Sequence, residues 1–144
     1  MHSAGVLADA LLSNQNQAGL QRVWAPKAHA AWSLHQACGK AELQMFVLFS
    51  SVAALFGGPG QANYAAANAC LDELVRLRYD CVLSATSMQW GAWAGVGMAV
   101  DSGVINGLEE QGMGASRGTM STDGENDAFT FSAAILPKQH RQRP

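Results

Sequence analysis

Three side chains of this sequence, Ser51, Tyr64 and Asn68, could together donate a proton to a polarised carbonyl group. Tyr64 and Asn68 are four residues apart, so on a helix with 3.6 residues per turn they share one face. The apolar run 45–50 predicts a strand, which places the Ser51 hydroxyl at the strand's end. Together these groups can hydrogen-bond and protonate a carbonyl oxygen. The alternative is that Tyr64 and Asn68 only lie on the surface of an alanine-rich helix.

The composition indicates one globular domain with sparse surface charge. The chain has 144 residues, of which 49% are hydrophobic and 14% are charged. A net charge of −2 gives no electrostatic reason to bind nucleic acid or an anionic membrane. No apolar run reaches the length of about 20 residues that a membrane-spanning helix needs. We therefore expect neither nucleic acid nor a membrane among the partners.

The cysteines and histidines lack the spacing of a metal site. Cys38, Cys70 and Cys81 are odd in number, which indicates free thiols in a reducing compartment. We expect Cys38 and Cys70 to be small buried side chains within helices. The N-terminus has no basic region or other feature of a signal peptide. The sequence thus predicts a cytoplasmic protein without a metal centre.

Hydrophobic periodicity predicts an alternation of helices and strands. The predicted elements are helix 15–24, helix 26–37, strand 45–50, helix 62–78 and strand 82–88. Ser13 or Asn14 would cap the first helix, and Pro26 would begin the second because proline is disfavoured inside a helix. The continuous apolar run at 45–49 is typical of a parallel strand buried on both faces. The order predicts an α/β fold, half of a doubly wound parallel sheet.

The remaining segments are predicted to be loops. The stretch 50–61 is rich in glycine, yet no G-x-G-x-x-G motif for a dinucleotide follows any strand. Residues 95–114 predict a mobile flap with one short helix at 105–111. The basic segment 138–144 is predicted to be disordered.

Six sequence blocks occur in the order and spacing of one known family. They are H-S-A-G-V-L at 2–7, V-W-A-P-K at 23–27, F-V-L-F-S-S at 46–51, G-Q-A-N-Y-A-A-A-N-A-C-L-D at 60–72, Q-W-G-A-W at 89–93 and G-V-G-M-A at 95–99. Together they resemble the ketoreductase domain of modular type I polyketide synthases, within the short-chain dehydrogenase/reductase superfamily. Animal-type fatty acid synthases carry a similar domain.

The resemblance implies a partial Rossmann-like fold, the C-terminal half of a short-chain reductase. Residues 1–128 would form a partial catalytic domain without the N-terminal glycine-rich nucleotide-binding part, and 129–144 a divergent, disordered tail. The chain begins where the family's fourth strand ends. We therefore expect these residues alone to bind NADPH weakly and to lack activity, and strand 46–49 to expose apolar surface. The alternative is a catalytically silent half-domain that docks within a synthase.

The resemblance also implies a catalytic tetrad of Lys27, Ser51, Tyr64 and Asn68. Ordinary short-chain reductases have lysine four residues after the tyrosine, whereas here Asn68 occupies that position and Lys27 comes from an earlier helix, as in polyketide ketoreductases. The cofactor would be NADPH, bound by Lys27 and Tyr64 and by Trp90 and Gly91. The partners would be an acyl carrier protein and other synthase domains.

The implied reaction reduces a β-ketoacyl thioester to a β-hydroxyacyl thioester. Hydride from the nicotinamide would attack the ketone carbon, and Tyr64 would protonate its oxygen. Ser51 would hydrogen-bond the same oxygen. The Lys27 ammonium would lower the pKa of Tyr64, and Asn68 would orient Lys27 through a water molecule.

The most detailed expectation from the resemblance concerns the configuration of the product. The family's B type, which gives a D-configured hydroxyl, carries an L-D-D motif that L-A-D at 7–9 matches except at Ala8. Phe56 stands where the A type has a tryptophan. We expect the B type, although Asp9 could be only an exposed loop carboxylate. The residues assigned to substrate contact and stereocontrol are Asp9, Pro59, Asn63 and Met98.

Overall fold

A computed structural model describes residues 1–39 and 41–91 together with the backbone of Ala134–Ile135. The helices are α1 (Gln17–Trp24), α2 (Ala30–Ala37), α3 (Ala53–Phe56) and α4 (Ala62–Asp80), with a 3₁₀ turn at Leu12–Asn14 and a π-helical turn at Ala25–His29. The strands are β1 (Val47–Ser51), β2 (Thr86–Trp90) and β3 (Ala134–Ile135). The predicted flap and Met98 lie outside the described residues.

The sheet has a parallel core, which confirms the predicted α/β class. β1 and β2 are parallel, with Val47 opposite Thr86 and Ser51 opposite Trp90. β3 adds to β2 in the antiparallel direction, giving the order β1-β2-β3. β3 lies within the range 129–144, and the domain boundary at residue 128 stays a prediction. Because parallel strands end at one edge of a sheet, Ser51 and Trp90 finish side by side.

The core lies between α2, α4 and one face of the sheet. Its buried residues are Ala31, Phe46, Leu48, Leu71, Leu74, Val75 and Ala85. Along β1, buried positions alternate with half-buried ones, so the prediction of a strand buried on both faces is wrong. The described helices that form this core pack on only one face, so alternate side chains of β1 stay partly accessible.

The outer edge of β1 is partly paired by the start of the chain. His2 forms a parallel bridge with Leu48, through an amide bond from His2 to the Val47 carbonyl at 2.8 Å and from Phe49 to the His2 carbonyl at 2.9 Å. Phe46 and Leu48 are buried. The predicted exposure of apolar surface along strand 46–49 is therefore wrong at these two residues, because the pairing and the helices cover them.

The helical region before β1 differs from the prediction at two points. α1 is capped by Asn16, whose Oδ1 accepts a hydrogen bond from the Gly19 amide at 2.9 Å, and not by Ser13 or Asn14. Pro26 does not begin a separate helix but lies in the π-helical turn that joins α1 to α2. The wider turn, with Ala30 donating to the Ala25 carbonyl, accommodates a residue that has no amide hydrogen.

The boundaries of other helices and strands also differ from the prediction. β2 begins at Thr86 and not near residue 82, because Val82 has a φ of 61° in the turn that ends α4. The short helix α3 interrupts the segment predicted to be loop throughout. Cys38 and Cys70 are half-buried and Cys81 is exposed, so the expected burial of Cys38 and Cys70 is only partial. Among the described residues, no helix is both long and apolar enough to cross a membrane.

Candidate active site

Three elements bring the predicted tetrad to the carboxyl edge of the parallel strands. Ser51 ends β1, Tyr64 and Asn68 lie in the first two turns of α4, and Lys27 lies in the π-helical turn. The Lys27 Nζ is 5.3 Å from the centroid of the Tyr64 ring. The side chains of Ser51 and Asn68 both act on the Tyr64 phenol. The structure thus gathers all four residues, while their catalytic roles stay predictions.

Lys27 is a buried cation held by neutral groups. Its side chain is 3% exposed, and its Nζ donates a hydrogen bond to the Phe49 carbonyl at 3.1 Å. Burial lowers the pKa of Lys27 from 10.5 to about 8, and the charge of Asp72 acts in the opposite direction. A large fraction of Lys27 is therefore neutral slightly above physiological pH.

Tyr64 holds its proton more firmly than a free tyrosine. Burial raises the pKa of its phenol above 10.0, and Asp9 adds to that increase, whereas hydrogen bonding from Ser51 and Asn68 lowers it. The expected net lowering of the Tyr64 pKa is thus wrong for this structure, because desolvation of the phenolate outweighs the favourable contacts. At neutral pH the residue is a phenol, the form that can donate a proton.

Asn68 is anchored to its own helix and keeps one buried oxygen available. Its Nδ2 donates to the Tyr64 carbonyl at 2.9 Å, and its own carbonyl accepts from the Ser50 hydroxyl at 3.2 Å. Its Oδ1 is buried and has no hydrogen-bond partner among the described residues. Lys27 binds Phe49 directly, so the link from Asn68 through water to Lys27 stays a prediction. Such an unpaired buried oxygen is suited to accept a water molecule.

The segment 8–10 is fastened to the start of α4. The Ala10 amide donates to the Gly60 carbonyl at 2.9 Å, and the Asp9 Oδ2 accepts from the Gln61 side chain at 3.1 Å. Gly60 has a φ of +72°, and a Cβ there would lie 3.4 Å from the Ala10 backbone nitrogen, so a side chain is disfavoured. Asp9 itself is exposed, and its place beside the tetrad helix fits either alternative for its role.

The other residues predicted to control the substrate behave differently. Asn63 is buried; its Nδ2 donates to the Ala8 carbonyl at 2.7 Å and its Oδ1 accepts from the Tyr64 amide at 2.7 Å. Both ends of its side chain thus hold backbone, which gives it a structural role. Pro59 is exposed in the loop before α4.

Trp90 and Gly91 border the site at the end of β2. The Trp90 ring packs on Phe49 with 5.4 Å between ring centroids, and its carbonyl accepts from the Val52 amide at 3.0 Å. These contacts tie the ends of β1 and β2 together beneath the tetrad. Binding of a cofactor by Trp90 and Gly91 stays a prediction.

The sequence motifs assign no role to three polar residues that support the site: Gln61, Asp72 and Gln89. Gln61 binds Asp9, and Gln89 donates to Asp72 at 2.9 Å. Asp72 follows Asn68 by four residues, so the same helix-face spacing that links Tyr64 to Asn68 could have identified it. The pairing of Gln89 with Asp72 depends on the placement of β2 against α4, which no local pattern shows.

Removing the buried charge with Lys27→Met is expected to stabilise the chain at pH 7. Below pH 8 both the folded and the unfolded chain carry the Lys27 proton, and burying it costs up to about 3 kcal/mol. Between pH 8 and 10.5 the unfolded state binds more protons, so the wild type's stability gains from Lys27 as pH rises. Urea denaturation of both chains from pH 7 to 10 should show their difference shrinking.

The control for that comparison is Arg22→Met, which removes an exposed cation of α1. Its effect on the free energy of unfolding should be small and independent of pH in this window. A Lys27→Met effect of constant size across the window would contradict the buried-charge account.

Known proteins are similar to this chain in sequence and in fold. The family model described as "KR domain" matches residues 1–95. The chain is 44% identical over 137 residues to the spectinabilin polyketide synthase system protein NorB of Streptomyces orinoci, which covers 94% of this chain and 6% of NorB.

Two solved structures are similar as well. "Structure of A-type Ketoreductases from Modular Polyketide Synthase" superposes with a TM-score of 0.76 and 44% identity, covering 81% of this chain and 25% of that one. "The first ketoreductase of the tylosin PKS" superposes with a TM-score of 0.74 and 40% identity, covering 81% of this chain and 26% of that one. The chain thus spans about a quarter of the solved ketoreductases. Since the family model matches most of the described residues, the chain belongs to the KR domain family, the ketoreductase domains of polyketide synthases.

Proposed function

We propose that this chain provides the proton-transfer side of an NADPH-dependent ketoreductase in the cytoplasm. It would act in polyketide biosynthesis on a β-ketoacyl thioester carried by an acyl carrier protein, giving the β-hydroxyacyl thioester. The observation that carries the proposal is the convergence of Lys27, Ser51, Tyr64 and Asn68 at the carboxyl edge of β1 and β2. This edge is where open α/β sheets bind ligands.

The chemistry follows from the state of each side chain. Burial keeps the proton on Tyr64, which can therefore act as the acid towards the ketone oxygen. Ser51 ends its strand beside that phenol and can bind the same oxygen, since its Oγ is held by the Ala53 amide at 3.2 Å. Lys27 presents a cation to the face of the Tyr64 ring and favours the negative charge that remains after proton transfer.

The residues present fit a nicotinamide nucleotide. Lys27 and Tyr64 offer an ammonium and a hydroxyl donor at the edge that Trp90 and Gly91 border, and such donors suit the hydroxyl groups of a ribose. When bound, the nicotinamide supplies the hydride to the ketone carbon. The chain's own part is to orient the ketone, to donate the proton and to balance the charge.

A hybrid enzyme tests the proposal directly. Residues 2–91 of this chain would replace the matching segment of the tylosin ketoreductase, and the 144-residue chain would be assayed beside it. With a β-ketoacyl thioester, free and bound to an acyl carrier protein, the hybrid is expected to oxidise NADPH and to form the β-hydroxyacyl product. A folded hybrid that binds NADPH but forms no hydroxyacyl product would refute the proposal and favour a docking role.

The configuration of the product is tested in the same assay. We propose the B type, supported by the L-A-D sequence at 7–9 and by Phe56, which stands where the A type has a tryptophan. Two of the similar structures are titled A-type and A1-type, which makes the opposite configuration the second candidate. Chiral chromatography of the hydroxyacyl product separates the two, and an L-configured hydroxyl would overturn the B-type assignment.

A further inference from the structure

A half-buried carboxylate lies one helical turn beyond the tetrad and has no role in the chemistry above. Asp72 follows Asn68 on α4, and its carboxylate accepts hydrogen bonds from the Ser87 hydroxyl and from the Gln89 side-chain amide. Ser87 and Gln89 are buried on the face of β2 that α4 covers. Asp72 has no salt bridge among the described residues, so its charge is balanced by neutral donors alone at contact distance.

Lys27 likewise lacks a charged partner in direct contact within residues 1–39 and 41–91. Its Nζ meets the Phe49 carbonyl and the face of the Tyr64 ring. Phe49 is paired with Met88, the residue between the two strand residues that bind Asp72. The Lys27 ammonium and the Asp72 carboxylate therefore lie at the same level along the strands of the sheet.

Few other ionisable groups surround Lys27. Among the described residues, β1 and β2 contain none. On the face turned to the sheet, α4 contributes Tyr64, Asp72 and, near its end, the buried Arg78, which packs on the Phe46 ring. Arg22 and His29, on its own helical segment, are exposed. The charge of Asp72 is the one that opposes the effect of burial on Lys27. In a poorly solvated site, even a carboxylate without direct contact acts strongly on a cation.

We propose that Asp72 is a positioning residue of this site: fixed by Ser87 and Gln89, its carboxylate keeps Lys27 in the charged form that proton transfer needs. The inference rests on the proposed function, because that function requires Lys27 to be charged. It also assigns the Asp72–Ser87–Gln89 cluster two separable effects, a contact between α4 and β2 and a charge that acts on Lys27.

The test follows the titration of Lys27 itself and needs no catalysis. The chain has three lysines, Lys27, Lys40 and Lys138, so lysine labelled with ¹³C and ¹⁵N gives few signals, and Lys27→Met identifies that of Lys27. In the wild type, half of Lys27 should be charged near pH 8. In Asp72→Asn, which keeps the side chain's size, we expect clearly less than half to be charged at that pH.

The matched control removes a carboxylate one residue away. Glu73 is 71% exposed on the solvent side of α4, so Glu73→Gln should leave the titration of Lys27 unchanged. If Asp72→Asn leaves it unchanged as well, or if Glu73→Gln shifts it equally, the inference is overturned and Asp72 is only a contact between helix and strand.

A second variant covers the case in which Asp72→Asn does not fold. The triple change Asp72→Leu, Ser87→Val and Gln89→Leu removes the whole polar cluster and leaves no buried donor unpaired, which is often tolerated. It should lower the charged fraction of Lys27 at pH 8 in the same way, and an unchanged fraction would refute the inference.

Activity separates this inference from the proposed function. In the hybrid reductase, Asp72→Asn should move the loss of kcat/KM at high pH towards lower pH, with Glu73→Gln as the control. A shifted Lys27 titration in an inactive hybrid would uphold the charge coupling and refute the proposed function instead.

Discussion

Tyr64→Phe in the hybrid reductase is expected to lower kcat by at least about 100-fold, the range that loss of a general acid produces. The change removes only the phenolic oxygen, on which Ser51 and Asn68 act. The ring that faces the Lys27 ammonium remains, so Lys27 keeps this contact. Binding of NADPH should therefore change little, and the effect should appear in kcat and not in KM.

The chain offers a matched control for that change, because its other tyrosine lies on the same helix. Tyr79 is 45% exposed near the end of α4, away from the tetrad. Tyr79→Phe should leave the steady-state rate of NADPH oxidation as it was. Full activity in Tyr64→Phe would show that another group donates the proton, and an equal loss in both variants would indicate a general effect on α4.

Arg78→Met is expected to destabilise the chain by about 3 kcal/mol, a typical effect of removing a buried, hydrogen-bonded charge. Arg78 is 1% exposed, and its Nε and Nη2 donate to the Ser84 carbonyl at 3.2 and 3.1 Å. Its Nη1 lies 2.9 Å from His35 Nδ1, which must accept because a guanidinium only donates. The guanidinium also packs on the Phe46 ring at 4.0 Å. One residue thus joins α4, α2 and the strand region.

Urea denaturation measures this effect, and Arg76→Met is its control. Arg76 lies two residues earlier on α4, is 75% exposed and pairs with Glu73 at 3.4 Å. Such an exposed ion pair contributes little, so the control should change the free energy of unfolding by less than about 0.5 kcal/mol. Similar losses in the two variants would contradict a special role for the buried guanidinium.

Much of the fold was predictable because its elements carry strong local patterns. The 19-residue helix α4 and the apolar run before Ser51 appear at the expected places, since amphipathic spacing and apolar runs act over a few neighbouring residues. The predictions are wrong where contacts between residues distant in the sequence determine the local structure. Pro26 indicates a helix start, yet α1 and α2 form one continuous helix through a π-helical turn, and α1 and that turn pack against α4.

The candidate site was predictable in its residues but not in its electrostatics. The motif blocks identify Lys27, Ser51, Tyr64 and Asn68, and the structure brings them together. The expected lowering of the Tyr64 pKa fails because desolvation depends on how much protein surrounds the phenol, which a motif does not describe. Asn63 matches the family's substrate residues, whereas its hydrogen bonds show that it holds backbone.

By itself, the sequence determined the family, the order of the elements and the four residues of the predicted tetrad, because residue types and short spacings carry that information. Only the tertiary structure decided the state of those residues. It buries Lys27 against a carbonyl, keeps the proton on Tyr64 and places Asp72 against Ser87 and Gln89 of β2. Burial and long-range charge depend on residues far apart in the chain, here those of α4 and β2, whose approach no local pattern specifies.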